Sequence, residues 1–301
     1  MGFMKNQTTS LVYVIDKNFI PHFTTSLSSL LIHNESLFED IYLVMNFPLN
    51  KKINKALIYF KSNFSTEIKT INIDNSKISQ LKILKKDHLT MITYARLLLS
   101  EILPKNVDRV LYLDSDLIVL GDLTSLCNTV FKDEYIVAVN QLHWTKNSGS
   151  DLLRSKQLIN ENYFNAGVML INLKRWRKDS MADLLLKTGI EYKNDLVYWD
   201  QDILNIAFKD GWKETDKSFN ALELTLKVIP DPIVIHFTGP IKPWHIISTH
   251  PYKKLYRHYR KMTPFKMNPS LGISLYSLVG QILSRNVYTN RLIKFKQGFK
   301  L

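Results

Sequence analysis

Residues 109–123 read RVLYLDSDLIVLGDL, and this stretch decides the fold. Arg109 to Leu113 is a short strand of large apolar residues that delivers Asp114 and Asp116 at its carboxyl end. In extended chain, residues two apart point to the same side. Two carboxylates held close on one side repel each other unless a cation lies between them. Such hard oxygen ligands suit Mn²⁺ or Mg²⁺, which keep positions open for phosphate oxygens. A D-x-D in a polar turn is usually a pair of solvated acids; the apolar strand before this one argues against that reading.

Working outward, other apolar strands alternate with helical spacings. Strands are predicted at 11–15, 41–45, 67–73, 135–139, 167–171 and 233–236. Helices are predicted at 19–32, 54–64, 90–101, 174–188 and 200–208. Alternation with fully apolar strands implies an α/β fold, a mostly parallel sheet with helices on both faces. Ligands in such sheets sit beyond the carboxyl ends of strands, here after Ile15, Leu113 and Ile235. Neither GxGxxG nor GxxxxGK[ST] occurs, so the common phosphate-binding glycine loops are excluded.

The chain has 301 residues, 45% of them apolar, enough for one large domain with a sizeable core. Its single cysteine, Cys127, excludes an internal disulfide and reads as a small buried residue in a reducing compartment. No stretch has the length of a spanning helix or a signal-peptide core, which predicts a cytoplasmic protein. The net charge of +13 is uneven. Residues 232–301 hold 12 Lys and Arg and no acid, whereas the first 231 residues hold 28 bases against 27 acids. A basic, aromatic, helical appendage is therefore expected over 251–301, after a catalytic unit of 1–250. Such a tail suits an anionic membrane surface or a nucleic acid.

Three further segments carry candidate chemistry. In IVIHFTGPIKPWH, His236 ends a strand and could complete a metal site, Gly239 allows close backbone approach, and Lys242 offers a point charge to phosphate. In YFNAGVMLINLKRW, Asn165 can bind sugar hydroxyls, while Ala166 and Gly167 leave room. In YWDQDILNIAF, Asp200, Gln201 and Asp202 stand where a helix begins, and one of them is expected to be its N-cap.

Together, YLDSDLIVLGDL, FNAGVMLINLKRW, WDQDILN and HFTGPIKPWH resemble the signature blocks of glycosyltransferase family 8, the retaining transferases that include bacterial lipopolysaccharide galactosyl- and glucosyltransferases. TYARLLL resembles its uridine-side block, and the likeness spans residues 9–246. The resemblance implies a single Rossmann-like nucleotide-sugar-binding domain of GT-A type with a mixed, mostly parallel sheet. It implies that Asp114, Asp116 and His236 bind the metal, Mn²⁺ before Mg²⁺. Asp16 and Asn18 would hold uridine, although Lys17 stands where the family often has an acid. Arg96 would reach the donor's sugar or diphosphate, Ser115 would belong to the donor-binding set, and Gly239 and Lys242 would cradle the diphosphate. Asn165, Ala166, Asp200 and Gln201 would line the donor sugar, with Gln201 either stabilising the cation-like carbon or acting as a weak nucleophile.

UDP-galactose or UDP-glucose is the expected donor, and no residue type decides between them. The acceptor is expected to be a saccharide, lipid-linked as in lipopolysaccharide core or lipooligosaccharide, with another surface glycan or a glycoprotein as the alternative, recognised by residues 140–163. There Trp144 would stack on a sugar or pack under its loop, near His143 and Arg154. A membrane-facing tail fits such an acceptor and no nucleic-acid partner is expected, so the enzyme would sit peripherally on the inner face of the cytoplasmic membrane. A phosphatase using the first Asp of D-x-D is disfavoured because several strands and helices precede Asp114.

Overall fold

The computed structural model describes residues 8–74, 76–81, 91–141, 151–156, 158, 163–222, 229–239 and 241–267. The strands are β1 Ser10–Ile15, β2 Ile41–Met45, β3 Ile68–Asn72, β4 Arg109–Leu113, β5 Leu117–Val119, β6 Ile136–Asn140, β7 Phe164–Asn172, β8 Trp212–Glu214, β9 Ala221–Leu222 and β10 Val234–His236. A seven-stranded sheet runs β3-β2-β1-β4-β7-β6-β8, and a three-stranded sheet runs β5-β10-β9. In the large sheet, β7 is antiparallel to both β4 and β6. The pairings β1–β2, β1–β4, β2–β3 and β6–β8 are parallel, so the sheet is mixed and mostly parallel, as expected.

The period-two rule sorts the strand residues onto two faces. Val12, Val44, Val110 and Tyr112 enter one core, with Ile203, Leu204 and Trp176. Leu11, Tyr13, Leu43, Leu111 and Leu113 enter the other, against Phe23, Leu27 and Phe60. Each large side chain fully buried in this way stabilises the fold by about 1.5–3 kcal/mol. Helices α1 Ile20–His33 and α2 Lys51–Phe64 cover the second face. The first is covered by α3 Leu99–Ile102, α6 Leu173–Lys178, α7 Met181–Glu191 and α8 Asp200–Ala207. Short helices α4 Thr124–Cys127 and α5 Asp151–Ser155 lie in the connections. Cys127 is buried and free, its thiol pushed up to about 12 by burial.

Local structure departs from expectation in three places. The predicted helix 90–101 is a 3₁₀ segment, Met91–Leu98, that becomes α-helical only at Leu99. Its four consecutive residues Ala95 to Leu98 are all buried, which an amphipathic α-helix on a sheet could not arrange. The predicted helix 174–188 is two helices, because Ser180 adopts a left-handed φ of 50° and Asp179 is held by Tyr135 and Arg175. Helix α8 has Trp199 as its N-cap, without a side-chain cap bond. None of Asp200, Gln201 and Asp202 is the expected N-cap: all three lie inside the helix, and Asp202 accepts the N–H groups of Val197 and Tyr198, ahead of it, at 2.7 and 2.8 Å.

Helix α1 joins the two sheets. Its buried Thr24, Thr25 and Ser28 hydroxyls return to carbonyls four residues back, so their burial leaves no donor unpaired. Ser29 accepts the Val119 N–H of β5 at 2.9 Å, and Asn34 bridges Gly121 and Leu123. Helix α9, Lys253–Met262, lies outside the sheet and packs on α1. There Tyr256 bonds His22 at 2.6 Å and Tyr259 bonds His33 at 3.2 Å. Residues 268–301, most of the expected appendage, lie outside the described residues. No helix among the described residues is long and apolar enough to cross a membrane.

The Trp244 ring stacks on His22 at 3.7 Å and meets His245 edge-on, while His250 packs edge-on against Phe237. Burial depresses all three, His250 to about 4. Each is neutral in the fold, so the stability it contributes is present above the unfolded value and is lost as pH falls from about 6.5 through 4. A His250→Gln variant cannot take up that proton. Between pH 7 and 4.5 it is expected to lose less stability in chemical denaturation than the wild type, by up to about 2 kcal/mol.

Candidate functional site

Asp114 and Asp116 leave the carboxyl end of β4 beside the end of the parallel strand β1, where Tyr13 pairs with Leu113. The chain then enters β5, which pairs antiparallel with β10 so that His236 faces Leu117. Phe237 donates its N–H to the Asp116 carbonyl at 2.9 Å. This small sheet brings His236 to the acidic pair. His236 Nε2 lies 3.3 Å from Asp116 Oδ1 and 3.6 Å from Asp114 Oδ2. One ligand atom from each of the three residues falls within 4.8 Å of the others. Two carboxylates and an imidazole nitrogen form a donor set that suits Mn²⁺ and accepts Mg²⁺ less readily.

Both carboxylates also have protein cations. Lys242 Nζ lies 2.6 Å from Asp116 Oδ2 and also reaches the Phe237 carbonyl. Burial pushes the Asp116 carboxyl up, but Lys242 and His236 outweigh it and hold it far below the usual carboxylate range. Arg96 Nη2 bonds Asp114 Oδ1 at 2.8 Å, its Nε bonds Asp200 at 2.9 Å, and its Nη1 bonds the Ala166 carbonyl at 2.9 Å. Burial opposes the charge on Arg96, but Asp114 and Asp200 overcome it, and the guanidinium stays charged. Asp200 is different: burial raises it to about 6 in spite of Arg96.

A layer of amides lies beneath. Gln201 Oε1 accepts the Ala166 N–H and the Asn165 amide, both at 3.1 Å. Its Nε2 donates to Gln141 at 3.2 Å and Tyr163 at 3.1 Å. Trp199, before Asp200, has φ 54° and ψ −117°, a strained conformation costing about 1–3 kcal/mol. Its buried ring, stacked on Tyr94, over-determines that geometry.

The structure thus brings together Asp114, Asp116, His236, Lys242, Arg96, Asn165, Ala166, Asp200 and Gln201. Ser115 is buried between the two acids. Asp16 and Asn18 follow β1, where Asp16 Oδ1 accepts the Asn18 N–H at 2.7 Å and the Phe19 N–H at 3.2 Å. One oxygen of that carboxylate therefore closes the turn into α1. Gly239 is exposed at φ 84°, a conformation that favours glycine. Arg154 lies on α5, while His143 and Trp144 lie outside the described residues.

Three residues of the site, Tyr112, Gln141 and Asn220, carry no signal in the sequence, and the role of a fourth, Gly167, is read there only as leaving room. Tyr112 donates to Asp114 at 2.6 Å and lies under the Arg96 guanidinium. Gln141 accepts from Asn165 at 2.8 Å. Asn220 bonds His236 Nδ1 at 3.0 Å. Gly167 lies under the His236 ring: a Cβ there would meet His236 Cε1 at 2.1 Å and Asp114 Oδ2 at 2.9 Å. Only Gly167 had a signal, as a small residue before a strand.

The family model described as "Glycosyl transferase family 8" matches residues 10–248. The lipopolysaccharide 1,3-galactosyltransferase of Salmonella typhimurium is 27% identical, over 97% of this chain and 90% of that protein. A lipopolysaccharide 1,2-glucosyltransferase of Escherichia coli is 28% identical, over 88% of this chain and 81% of that protein. Among solved structures, the galactosyltransferase LgtC in complex with donor and acceptor sugar analogs superposes with a TM-score of 0.77. It is 25% identical and covers 86% of this chain and 97% of its own.

Gly167→Ala should weaken binding of a divalent cation at the Asp114, Asp116 and His236 group, measured by calorimetry, on the order of tenfold or more, and should lower the melting temperature, since overpacking costs about 1–3 kcal/mol. An added Cβ displaces ligands of the site without touching the strands' hydrogen bonds.

Proposed function

Because the chain belongs to glycosyl transferase family 8, we propose that it transfers galactose or glucose from a UDP-sugar to a saccharide acceptor, with retention and with a divalent metal, Mn²⁺ in preference to Mg²⁺. The observation that carries this reading is the convergence of Asp114, Asp116 and His236 with Lys242 at the carboxyl edge of the sheet. A metal held by the three ligands would supply a Lewis acid for the diphosphate of the donor.

The residues of the chain divide the remaining work. Lys242 carries a compact charge on a flexible stem and can turn from Asp116 towards the leaving diphosphate, which Gly239 can approach closely. Arg96 is fixed by Asp114, Asp200 and the Ala166 carbonyl, so it orients the carboxylates on the donor side. Gln201 supports an electrostatic role rather than nucleophilic attack, because two N–H groups already engage its carbonyl oxygen. Asn165, Ala166 and Asp200 line the donor sugar, Ser115 completes the donor set, and Asp16 and Asn18 hold the uridine. The acceptor hydroxyl attacks from the leaving-group face.

The acceptor we favour is lipopolysaccharide core or lipooligosaccharide, in keeping with the relatives' names. A peripheral position on the inner face of the cytoplasmic membrane fits it. Helix α9 exposes Lys254, His258, Lys261 and Met262, and residues 268–301 add further bases and aromatics.

Two measurements test this. UDP release across a panel of sugar nucleotides should appear with UDP-galactose or UDP-glucose and Mn²⁺, and vanish with chelator. Lys242→Ala should then lower kcat by about 10²–10³-fold, as removal of a preorganised charge does; release that persists under chelation would sink the metal-dependent reading. Deleting residues 268–301, which spares the packed helix α9, should release the protein from anionic vesicles.

A further inference from the structure

The orientation of every amide beneath the acidic pair can be worked out from backbone groups that only donate. Gly167 N–H points at Asn165 at 3.0 Å, so the atom it meets is the Asn165 oxygen. That same oxygen is 2.8 Å from the Asn220 side chain, which must present its NH₂ there. The other end of Asn220, its oxygen, is 3.0 Å from His236 Nδ1. A carbonyl oxygen only accepts, so Nδ1 must carry a proton. With Nδ1 engaged in that way, Nε2 is the ring nitrogen turned towards Asp114 and Asp116, at 3.6 and 3.3 Å, and in a neutral imidazole, which has one N–H, it is the one that can ligate.

A second backbone donor checks the assignment from the other side. Ala166 N–H meets Gln201 Oε1 at 3.1 Å, and the Asn165 NH₂ reaches that same oxygen at 3.1 Å. Asn165 is thus oriented twice, from Gly167 and from Gln201, with one result. Asn165 and Asn220 are both buried, at 4% and 1% exposure, so water does not scramble the chain of bonds.

We propose that Asn220 is a positioning residue for the metal site, the last link of a relay from the Gly167 N–H through Asn165 that fixes the His236 tautomer with Nε2 free to ligate. The inference rests on the metal-binding reading of Asp114, Asp116 and His236. It adds a residue from the edge of the small sheet, one that touches neither substrate nor metal. Ligating histidines depend on such partners for orientation, and loss of the partner typically costs 10–100-fold in metal affinity.

The test uses the full chain with Mn²⁺ as the only probe, alongside nitrogen NMR of the histidine rings in metal-free protein at alkaline pH. The wild type should show His236 protonated at Nδ1. Asn220→Leu, close in volume but without donor or acceptor, should lose that tautomer preference and bind Mn²⁺ 10–100-fold more weakly, with a lowered melting temperature because its two buried partners lose their bonds. Asn220→Asp keeps an oxygen for Nδ1–H but sets an acceptor against the Asn165 oxygen, so it should hold the tautomer at a lower melting temperature, with Mn²⁺ affinity above that of the Leu variant. In a double-variant cycle, Asn165→Leu and Asn220→Leu should be non-additive, since both cut one chain.

Wild-type His236 protonated at Nε2 would overturn the relay, as would equal Mn²⁺ affinity in the Leu and Asp variants. Protonation at Nδ1 with no Mn²⁺ binding by the wild type would uphold the relay while refuting the metal-site reading itself.

Discussion

Two carboxylates on one side of a strand end must be neutralised, and the rest of the molecule is arranged around that requirement. Asp114 receives Arg96 from a 3₁₀ segment on one face of the large sheet. Asp116 receives Lys242 from the loop after β10. His236 stands between them from a separate sheet. Leaving either charge buried and unpaired would cost several kcal/mol. The secondary elements that look least regular, the 3₁₀ segment and the short strand β10 held between β5 and β9, are the ones that position Arg96, His236 and Lys242.

Much of this was legible because it rested on residue chemistry and periodicity. The strands 41–45 and 109–113 were read to the residue, since apolar runs between polar boundaries leave little choice of register. Asp114 and Asp116 were legible because charge at the end of an apolar strand needs a reason. The small sheet was not legible: β5 has three residues and β9 two, too few to show any period. Asn220 was invisible for the same cause. An asparagine before a two-residue strand carries no local signal, and its role exists only once β9 and β10 lie side by side.

The three helical departures have one explanation. Local spacing predicts a helix wherever apolar residues recur, but it does not see what the neighbouring polar groups require. Arg96 must be buried next to two carboxylates, Asp179 is claimed by Tyr135 and Arg175, and Asp202 is claimed by two backbone N–H groups. In each case a specific polar contact, long-range for Arg96 and Asp179 and local for Asp202, accompanies the departure, and propensity yields to it.

Lys242 carries the argument one step beyond geometry. Its ammonium is engaged by Asp116 and the Phe237 carbonyl, and a single ammonium cannot serve both that carboxylate and a diphosphate at full strength. If the chain acts on a nucleoside diphosphate sugar, whatever else neutralises Asp116 frees Lys242 for the leaving group. A dication at Asp114, Asp116 and His236 would do so, making metal and donor bind with positive coupling, each raising the other's affinity by the same factor. The carboxylate pair would then be an exchange point for positive charge: Lys242, which holds Asp116 here, would be free to turn to the phosphates once a dication neutralised that carboxylate.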